Sequence, residues 1–578
     1  MGNRCDVAII GGGPAGSTCG CLLKKYNPGL DVVIVEKEAF PREHVGESQL
    51  PGISMILWEM GCWEKVEAAG FPIKVGATYR WGQSEDLWDF DFVPERFAGG
   101  PRPARYEGER QFTAFQVDRE VYDTILLDHA RQMGCRVLAP HAVRRIARGG
   151  SDPDRVEALE LDGGGEIHGR HFVDASGHVG VLRRGMGVGV REPTRLRNIA
   201  VWDYWENARW AVKIGVGGTR VFVLSIGTGW LWFIPLSPTR TSLGFVCSAE
   251  HYKQSGRTPE QLYLEAIARE PFLTDLTRDA TREGHVRSTK DWSFLAERMH
   301  GSNWFLAGES AGFADPILAG GMMLAHAGAR EVAYTILELE RGTLDAAWLR
   351  ERYTQTQRQR IGQHIRFADF WYAGNGCFRD LQACARRIAD DAGVATLNSE
   401  QAFRWLSTGG FAVDQLDVPS IGAFDIASTK RLMEVFGDGQ ARWRLNDFNV
   451  FRLNLRGAAT DTVPYLHKGR ILEAKRYVRG DKSLAMAGLF GIVVRVLERH
   501  CFINDILKAV REVHARQLRT PANLIPFKIQ QTVQILEVLL ADGWVDGSLD
   551  PGRARVTVSQ KSQEGMIHPT QDVLLRRS

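Results

Sequence analysis

DVAIIGGGPAG at residues 6–16, followed by DVVIVE at 31–36, is the stretch that decides the fold. Asp6 to Ile10 is a short β-branched run and reads as a buried strand. GGGPAG comes next, then a helical pattern to about Lys25, then a second strand closed by Glu36. This is a βαβ unit with glycine at 11, 13 and 16. Gly11 permits the tight turn, Gly13 lets backbone approach a pyrophosphate, and Gly16 lets the helix pack close to the strand. The helix N-terminus then faces the phosphates. Glu36 is placed to accept hydrogen bonds from ribose hydroxyls, which disfavours a 2′-phosphate. A lone GxGxxG is a weak signal, but strand, helix and acid together read as a dinucleotide site.

Outward from that unit, 578 residues are enough for roughly two to four domains. Hydrophobic residues at 44% and charged residues at 24% are ordinary for a globular protein, and a net charge of +3 gives no nucleic-acid surface. No run of about 18 apolar residues is present, so no membrane span is expected. Val7–Ile10 stops at glycines and belongs to a strand, not a signal peptide. The nine cysteines are scattered without CxxC, and Cys19 and Cys21 are too close for the usual metal pair. Free thiols in a reducing cytoplasm, and no structural zinc, are the expectation.

Residues 195–250 change character. AVWDYW, WAVKIGV, RVFVLSIG, WLWFIP and TSLGFVCS read as short strands of an antiparallel meander, a layer on which a flavin or substrate would lie. Alternation puts Trp230 and Trp232 on one face. Taken alone, that pair reads as core packing. Segments 258–275 and 325–395 look helical.

WFLAGESAGFADPILAGG at 304–321 is a second nucleotide-contact signature. A strand from Trp304 to Ala307 runs into Gly308 and a helix, placing Glu309 and Asp315 near a ribityl chain and pyrophosphate. Gly320 and Gly321 open the next helix, whose exposed N–H groups make an anion site. From about 396 no glycine-rich signal remains. Residues 484–545 look largely helical, and DGSLDPGRARVTV after Trp544 reads as a small hairpin, an order that fits a winged-helix-like module. The last ~15 residues, polar and rich in Gln and Ser, read as disordered. The overall class is α/β: a Rossmann-type dinucleotide-binding domain with an antiparallel β-sheet layer over 1–395, and a mainly helical region over 396–578.

The chain resembles the flavin-dependent halogenases, within the p-hydroxybenzoate-hydroxylase-like flavoproteins. The matching stretches are GGGPAG (11–16), FPREHVGES (40–48), IKVGATYRWG (73–82), FQVDRE (115–120), VDASG (173–177), WLWFIP (230–235) and GESAGFADPILAGG (308–321). WxWxIP, here Trp230, Trp232, Ile234 and Pro235, is the more specific marker. The resemblance implies FAD contacts at Gly11, Gly13, Ala15, Gly16, Glu36, Arg42, Ser48, Arg119, Glu309, Asp315 and Gly321. It implies a halide, chloride or bromide, at the Gly320 and Gly321 amides. It also implies a separate flavin reductase, oxygen, and a cytoplasmic enzyme of antibiotic or other secondary metabolism.

In the resemblance, the wall of Trp230, Trp232 and Pro235 keeps the flavin from oxygenating substrate. Flavin hydroperoxide then reacts with halide, and the hypohalite travels to a catalytic lysine, Lys74, which aims it. By composition alone, Lys74 reads as a lysine whose stem packs while its ammonium reaches solvent. The tryptophan halogenases' glutamate after the proline is replaced here by Leu318, which points to a phenol or pyrrole, free or bound to a carrier protein or peptide. A phenolic ring such as a tyrosyl unit is the expected substrate. Glu309, where the wider group often has aspartate, is a second departure. The alternatives are an FAD-dependent monooxygenase, a geranylgeranyl-reductase-like oxidoreductase, or a non-catalytic flavoprotein. HIRFADFWYAGNG at 364–376 reads as helical core or as cavity lining, and the histidines show no triad or metal spacing. The C-terminal region is expected to cap the substrate entrance or dock a carrier.

Overall fold

A computed structural model describes residues 4–376 (apart from 82–85, 94–95 and 195), 420–421, 424–425, 443–558 (apart from 481) and 567–570. Along the chain the site is built from β1 (Arg4–Ile10), α1 (Pro14–Tyr26), β2 (Val32–Val35), β3 (Ile73–Arg80), β4 (Trp88–Asp91) and β5 (Ala114–Phe115). There follow α2 (Arg119–Gln132), β6 (Glu166–Asp174), β7 (Arg197–Glu206), β8 (Gly218–Ser225), β9 (Gly229–Pro235) and β10 (Arg240–Ser248). β11 (Trp304–Leu306), α3 (Gly321–Arg341) and α4 (Ala346–Gly376) complete this part.

β1 pairs in parallel with β2 and β6, and β11 joins β6 in parallel. Strands buried on both faces read as unbroken apolar runs, as VAII and VVIV do. α1 and α3 pack together on this sheet. A neutral core histidine pins them. His326 on α3 meets Thr18 of α1 at 2.8 Å and Tyr122 of α2 at 2.9 Å, and burial pulls its pKa down to about 3.

The second sheet runs β7–β10–β9–β8–β3–β4. β7 to β10 pair antiparallel as expected. The meander ends there, because β8 pairs in parallel with β3, about 145 positions earlier in the chain (Gly218 with Ile73). WAVKIGV at 210–216 is not a strand. Gly215 and Gly217 sit at φ +51° and +78°, and a Cβ on Gly215 would lie 2.3 Å from the Ala98 carbonyl oxygen. The segment turns back on itself there. Residues after Gly308 form two short 3₁₀ turns, over Gly308–Ser310 and Pro316–Leu318, and the long helix starts only at Gly321. The expected helix over 325–395 is two helices, α3 and α4, and 377–395 lie outside the described residues.

The C-terminal part holds β12 (Val450–Leu453), β13 (Ala459–His467), β14 (Arg470–Arg479), β15 (Lys482–Ala485), α5 (Gly488–Leu497), α6 (Ile503–Glu512), α7 (Ile525–Ala541), β16 (Val545–Ser548) and β17 (Ile567–Pro569). The helices were expected; the three-stranded sheet β13–β14–β15 was not. The expected hairpin after Trp544 does not form, since β16 pairs with β12, far back in the chain. Part of the tail is ordered too, with β17 adding an antiparallel strand to β4.

This region packs on the rest of the molecule. Ile471 N–H donates to Glu338 of α3 at 3.0 Å, and Arg352 of α4 pairs with Asp461 at 3.0 Å. Leu489, Val493, Val494 and Leu536 share one apolar cluster with Trp230, Trp232 and Trp371.

Candidate active site

The sheet ends bring the first group of expected residues together. Gly11 stands at φ +103°, and a Cβ on Gly16 would lie 1.9 Å from the Gly11 carbonyl oxygen. The first turn of α1, at Ala15 and Gly16, keeps N–H groups with no intrahelical acceptor. Glu36 is buried and already holds this turn. Its carboxylate accepts the Gly12 N–H at 2.7 Å and the Glu38 N–H at 2.9 Å, which leaves lone pairs for further donors. Arg42 reaches over the same turn, its guanidinium 3.1 Å from where a Cβ on Gly13 would sit. It pairs with Asp123 at 3.4 Å.

Arg119 spends its guanidinium on protein. Nε and Nη2 clamp Asp123 at 2.8 Å each, and Nη1 donates to the Val45 carbonyl at 2.9 Å and the Gly46 carbonyl at 3.1 Å. It therefore shapes the loop that carries Ser48. Ser48 Oγ and both amide atoms of Gln116 are buried with no hydrogen-bond partner among the described residues. Glu309 lies against Gly177, its carboxylate 3.7 Å from a Cβ built there.

The second group lies on the second sheet. Lys74 is 2% exposed, so its ammonium does not reach solvent. A register shift in the β3–β8 pair decides where it points. Thr219 pairs with Lys74 and Arg220 with Gly76, which leaves Val75 opposite no partner. Directly paired residues share a face. Thr219 is two positions from Val221, and Val221 and Val223 pair with Ala77 and Tyr79. Val223 pairs in turn with Trp232. The bulge thus turns Lys74 onto the tryptophan face, which strict alternation would deny it.

Among the described residues Lys74 has no ion pair. The face of Phe92, 5.3 Å from its Nζ, is its one recorded partner. Burial pulls its pKa from 10.5 down to about 7.

Trp230 and Trp232 stand side by side, ring centroids 6.0 Å apart and tilted by 50°. Trp232 lies flat on β10 because its cross-strand partner is Gly244, where a Cβ would come within 2.2 Å of the indole. Pro235 ends the strand.

Asp315 is 3% exposed. It accepts the Ile317 N–H at 2.9 Å, the Tyr372 hydroxyl at 3.1 Å and the Asn198 amide at 3.4 Å. Burial pushes its carboxyl up to about 7 against those three donors. The turn it caps leads to Gly320 and Gly321, at the start of α3. Gly320 abuts His364 of α4, with 2.9 Å between a built Cβ and His364 Cδ2.

Two residues of this site escape sequence reading. Glu47, inside FPREHVGES, is buried, and desolvation pushes it up to about 7 while the Tyr204 hydroxyl holds it at 2.9 Å. Tyr372, inside the aromatic run of α4, accepts the Trp230 indole N–H at 2.8 Å. The aromatic run at 364–376 was the one signal pointing to it.

Comparison with known proteins gives the family. The FAD binding domain model matches residues 4–368. The chain is 33% identical over 367 residues to the tryptophan 2-halogenase of Chondromyces crocatus, covering 63% of this chain and 66% of that protein. It is 33% identical over 343 residues to the 1H-pyrrole-2-carbonyl peptidyl-carrier-protein chlorinase of Pseudomonas fluorescens, covering 58% of this chain and 76% of that protein. The chain belongs to the flavin-dependent halogenases. The crystal structure of the flavin-dependent halogenase CmlS superposes with a TM-score of 0.68 at 27% identity, over 96% of this chain and 98% of that one. The match to CmlS therefore takes in this halogenase-family chain's C-terminal region, which the FAD binding domain model leaves uncovered. The aligned part is just under two thirds of the tryptophan 2-halogenase.

The residues present fit FAD. The glycine turn would be filled by any side chain at Gly11 or Gly16, Glu36 keeps acceptor capacity at the end of β2, and Ser48 and Gln116 hold buried polar atoms in reserve. Among the described residues no cluster of His, Cys, Asp and Glu is arranged to hold a metal, and no helix is long and apolar enough to cross a membrane.

Proposed function

We propose that this chain halogenates an electron-rich aromatic ring, using reduced FAD, oxygen and chloride or bromide, with Lys74 as the catalytic residue. The observation that carries the reading is a lysine buried without a counter-ion and turned by a β-bulge onto the face that bears the two tryptophans. A structural lysine is exposed or paired.

Reduced flavin, when bound, supplies with oxygen the oxidising equivalent that makes halide electrophilic. The Gly11–Gly16 turn and α1 hold the pyrophosphate, Glu36 the adenosine ribose, and Arg42, Ser48, Arg119 and Glu309 border the remainder. The N–H groups at Gly320 and Gly321 hold halide at a helix N-terminus. Trp230, Trp232 and Pro235 fill the space through which an aromatic substrate would reach the flavin, and exclude water. Lys74 receives the hypohalous acid. With its amine titrating near 7 it is both a hydrogen-bond donor and, when neutral, a nucleophile that forms an N-halo amine with loss of water. Either form places the halogen at one position on the ring.

The substrate is a phenol, tyrosyl-like, presented free or on a carrier protein. Leu318 stands where a carboxylate base would assist a less activated ring, and a phenol needs no such help. The relatives named for tryptophan and for carrier-bound pyrrole support an aromatic substrate. A separate reductase supplies the reduced flavin, and the 443–558 region caps the substrate side.

The test supplies FAD, NADH, a flavin reductase, oxygen, halide and catalase, and traps hypohalite with a reactive phenol. A halogenated trap that needs both protein and halide is the expected result, with regioselectivity lost in Lys74→Ala. Peroxide alone, or an oxygenated trap, overturns the reading in favour of a monooxygenase.

A further inference from the structure

Each wall tryptophan donates its indole N–H to a hydroxyl, and behind one of those hydroxyls stands a buried carboxyl. Trp230 Nε1–H donates to Tyr372 Oη at 2.8 Å. An indole N–H only donates, so the tyrosine oxygen accepts there and sends its own proton onward. Its acceptor is Asp315 Oδ1 at 3.1 Å. Trp232 Nε1–H donates to Ser242 Oγ at 3.0 Å.

Asp315 caps the turn that leads to Gly320 and Gly321. The hydroxyls come from elsewhere: Tyr372 from α4 and Ser242 from β10. The Tyr372 relay therefore crosses from the sheet to a loop that no strand pairing joins to β9. This use of Asp315 differs from the cofactor contact that its sequence position suggests.

The physical need is orientational. An indole on a strand has a soft χ2, and packing alone lets it swing. Gly244 removes the side chain that would otherwise oppose Trp232 across the strand pair. A hydrogen bond at the ring nitrogen removes the remaining freedom and, being buried, is costly to leave unmade.

We propose that Tyr372 with Asp315, and Ser242 across the β9–β10 pair, are positioning relays that lock the two indoles of the wall. The proposal rests on the halogenase reading for its functional consequence, though not for its geometry. When a relay is cut, the ring swings, the wall opens, and reduced flavin is spent as hydrogen peroxide instead of halogenated product.

The experiment compares the full chain with Tyr372→Phe and Ser242→Ala, and Asp315→Ala with Asp315→Asn. One readout needs no cofactor: the indole N–H hydrogen-bonding band in ultraviolet resonance Raman. Each hydroxyl variant is expected to move one indole to the unbonded position in the difference spectrum. The second readout is peroxide per halogenated product. It is expected to rise about fivefold, the weight of one hydrogen bond of about 1 kcal/mol. Asp315→Asn, whose amide oxygen still accepts the tyrosine proton, falls between wild type and Asp315→Ala. A role in stability alone would lower the unfolding midpoint and leave that ratio unmoved. Unchanged indole bands, or an unchanged ratio in both hydroxyl variants, overturns the proposal. Wild-type protein that makes no halogenated product overturns the halogenase reading instead, and the Raman comparison still decides the relays.

Discussion

Lys74→Met should make the protein more stable near neutral pH while it abolishes regioselective halogenation. Burial lowers the Lys74 pKa from 10.5 to about 7, so the unfolded chain binds a proton that the folded chain sheds between those values. Stability contributed by this group therefore rises with pH across that window and is lowest below pH 7, where the folded protein must hold a buried ammonium. A drop from 10.5 to about 7 corresponds to a cost of ~5 kcal/mol at low pH. Cation–π contact with Phe92 returns up to ~2 kcal/mol of that. Methionine keeps the stem and drops the charge, so the variant should gain ~3 kcal/mol at pH 6.5, shrinking toward nothing near pH 10. Urea unfolding of the cofactor-free protein, followed by near-ultraviolet circular dichroism at pH 6.5, 8 and 9.5, reads the difference directly. A variant no more stable than wild type at pH 6.5, or a gap that does not change with pH, would refute the picture of a desolvated lysine without a counter-ion.

Two glycines give sharper steric tests. Gly16→Ala puts a methyl 1.9 Å from the Gly11 carbonyl oxygen, so the turn must open; the purified variant should carry no FAD by absorbance after gel filtration, and full flavin content would contradict the cradle. Gly244→Ala puts a methyl 2.2 Å from the Trp232 ring; the indole near-ultraviolet signal and the share of reduced flavin lost as peroxide should both change, and an unmoved spectrum would remove Trp232 from the wall.

The βαβ unit was legible because its chemistry is local. Three glycines, two apolar strands and one acid lie within about thirty residues, and each is required by backbone geometry. The tryptophan face was legible for the same reason, since period-two alternation needs no knowledge of partners. What failed was what depends on distant pairing. Alternation along β3 would put Lys74 opposite Ala77 and Tyr79, and only the register of β8 shows that Val75 is bulged. The β16–β12 pair joins residues about a hundred positions apart, which no local pattern reports. The β13–β14 hairpin carried a readable signal: Lys468 and Gly469 sit at φ +47° and +75°, a two-residue turn of the hairpin type. The carboxyls of Glu47 and Asp315 look like ordinary acids in sequence; burial alone makes them unusual.

Three desolvated ionisable groups lie around one wall. Lys74, Glu47 and Asp315 are all desolvated, and none is neutralised by a close ion pair among the described residues. Ordinary folding would pair them or expose them. The apolar cluster that includes Trp230 and Trp232 extends through Ile317 and Trp371 into Trp443, Phe451, Leu489, Val493, Val494 and Leu536 of the C-terminal region. That burial is the favourable counterweight, at about 25 cal/mol for each Å² of apolar surface removed from water. It covers the tryptophan face onto which Lys74 is turned, and burial is what lowers the amine to about 7. Removing the C-terminal region should therefore open that face and, where it re-solvates Lys74, return the amine's pKa toward 10.5.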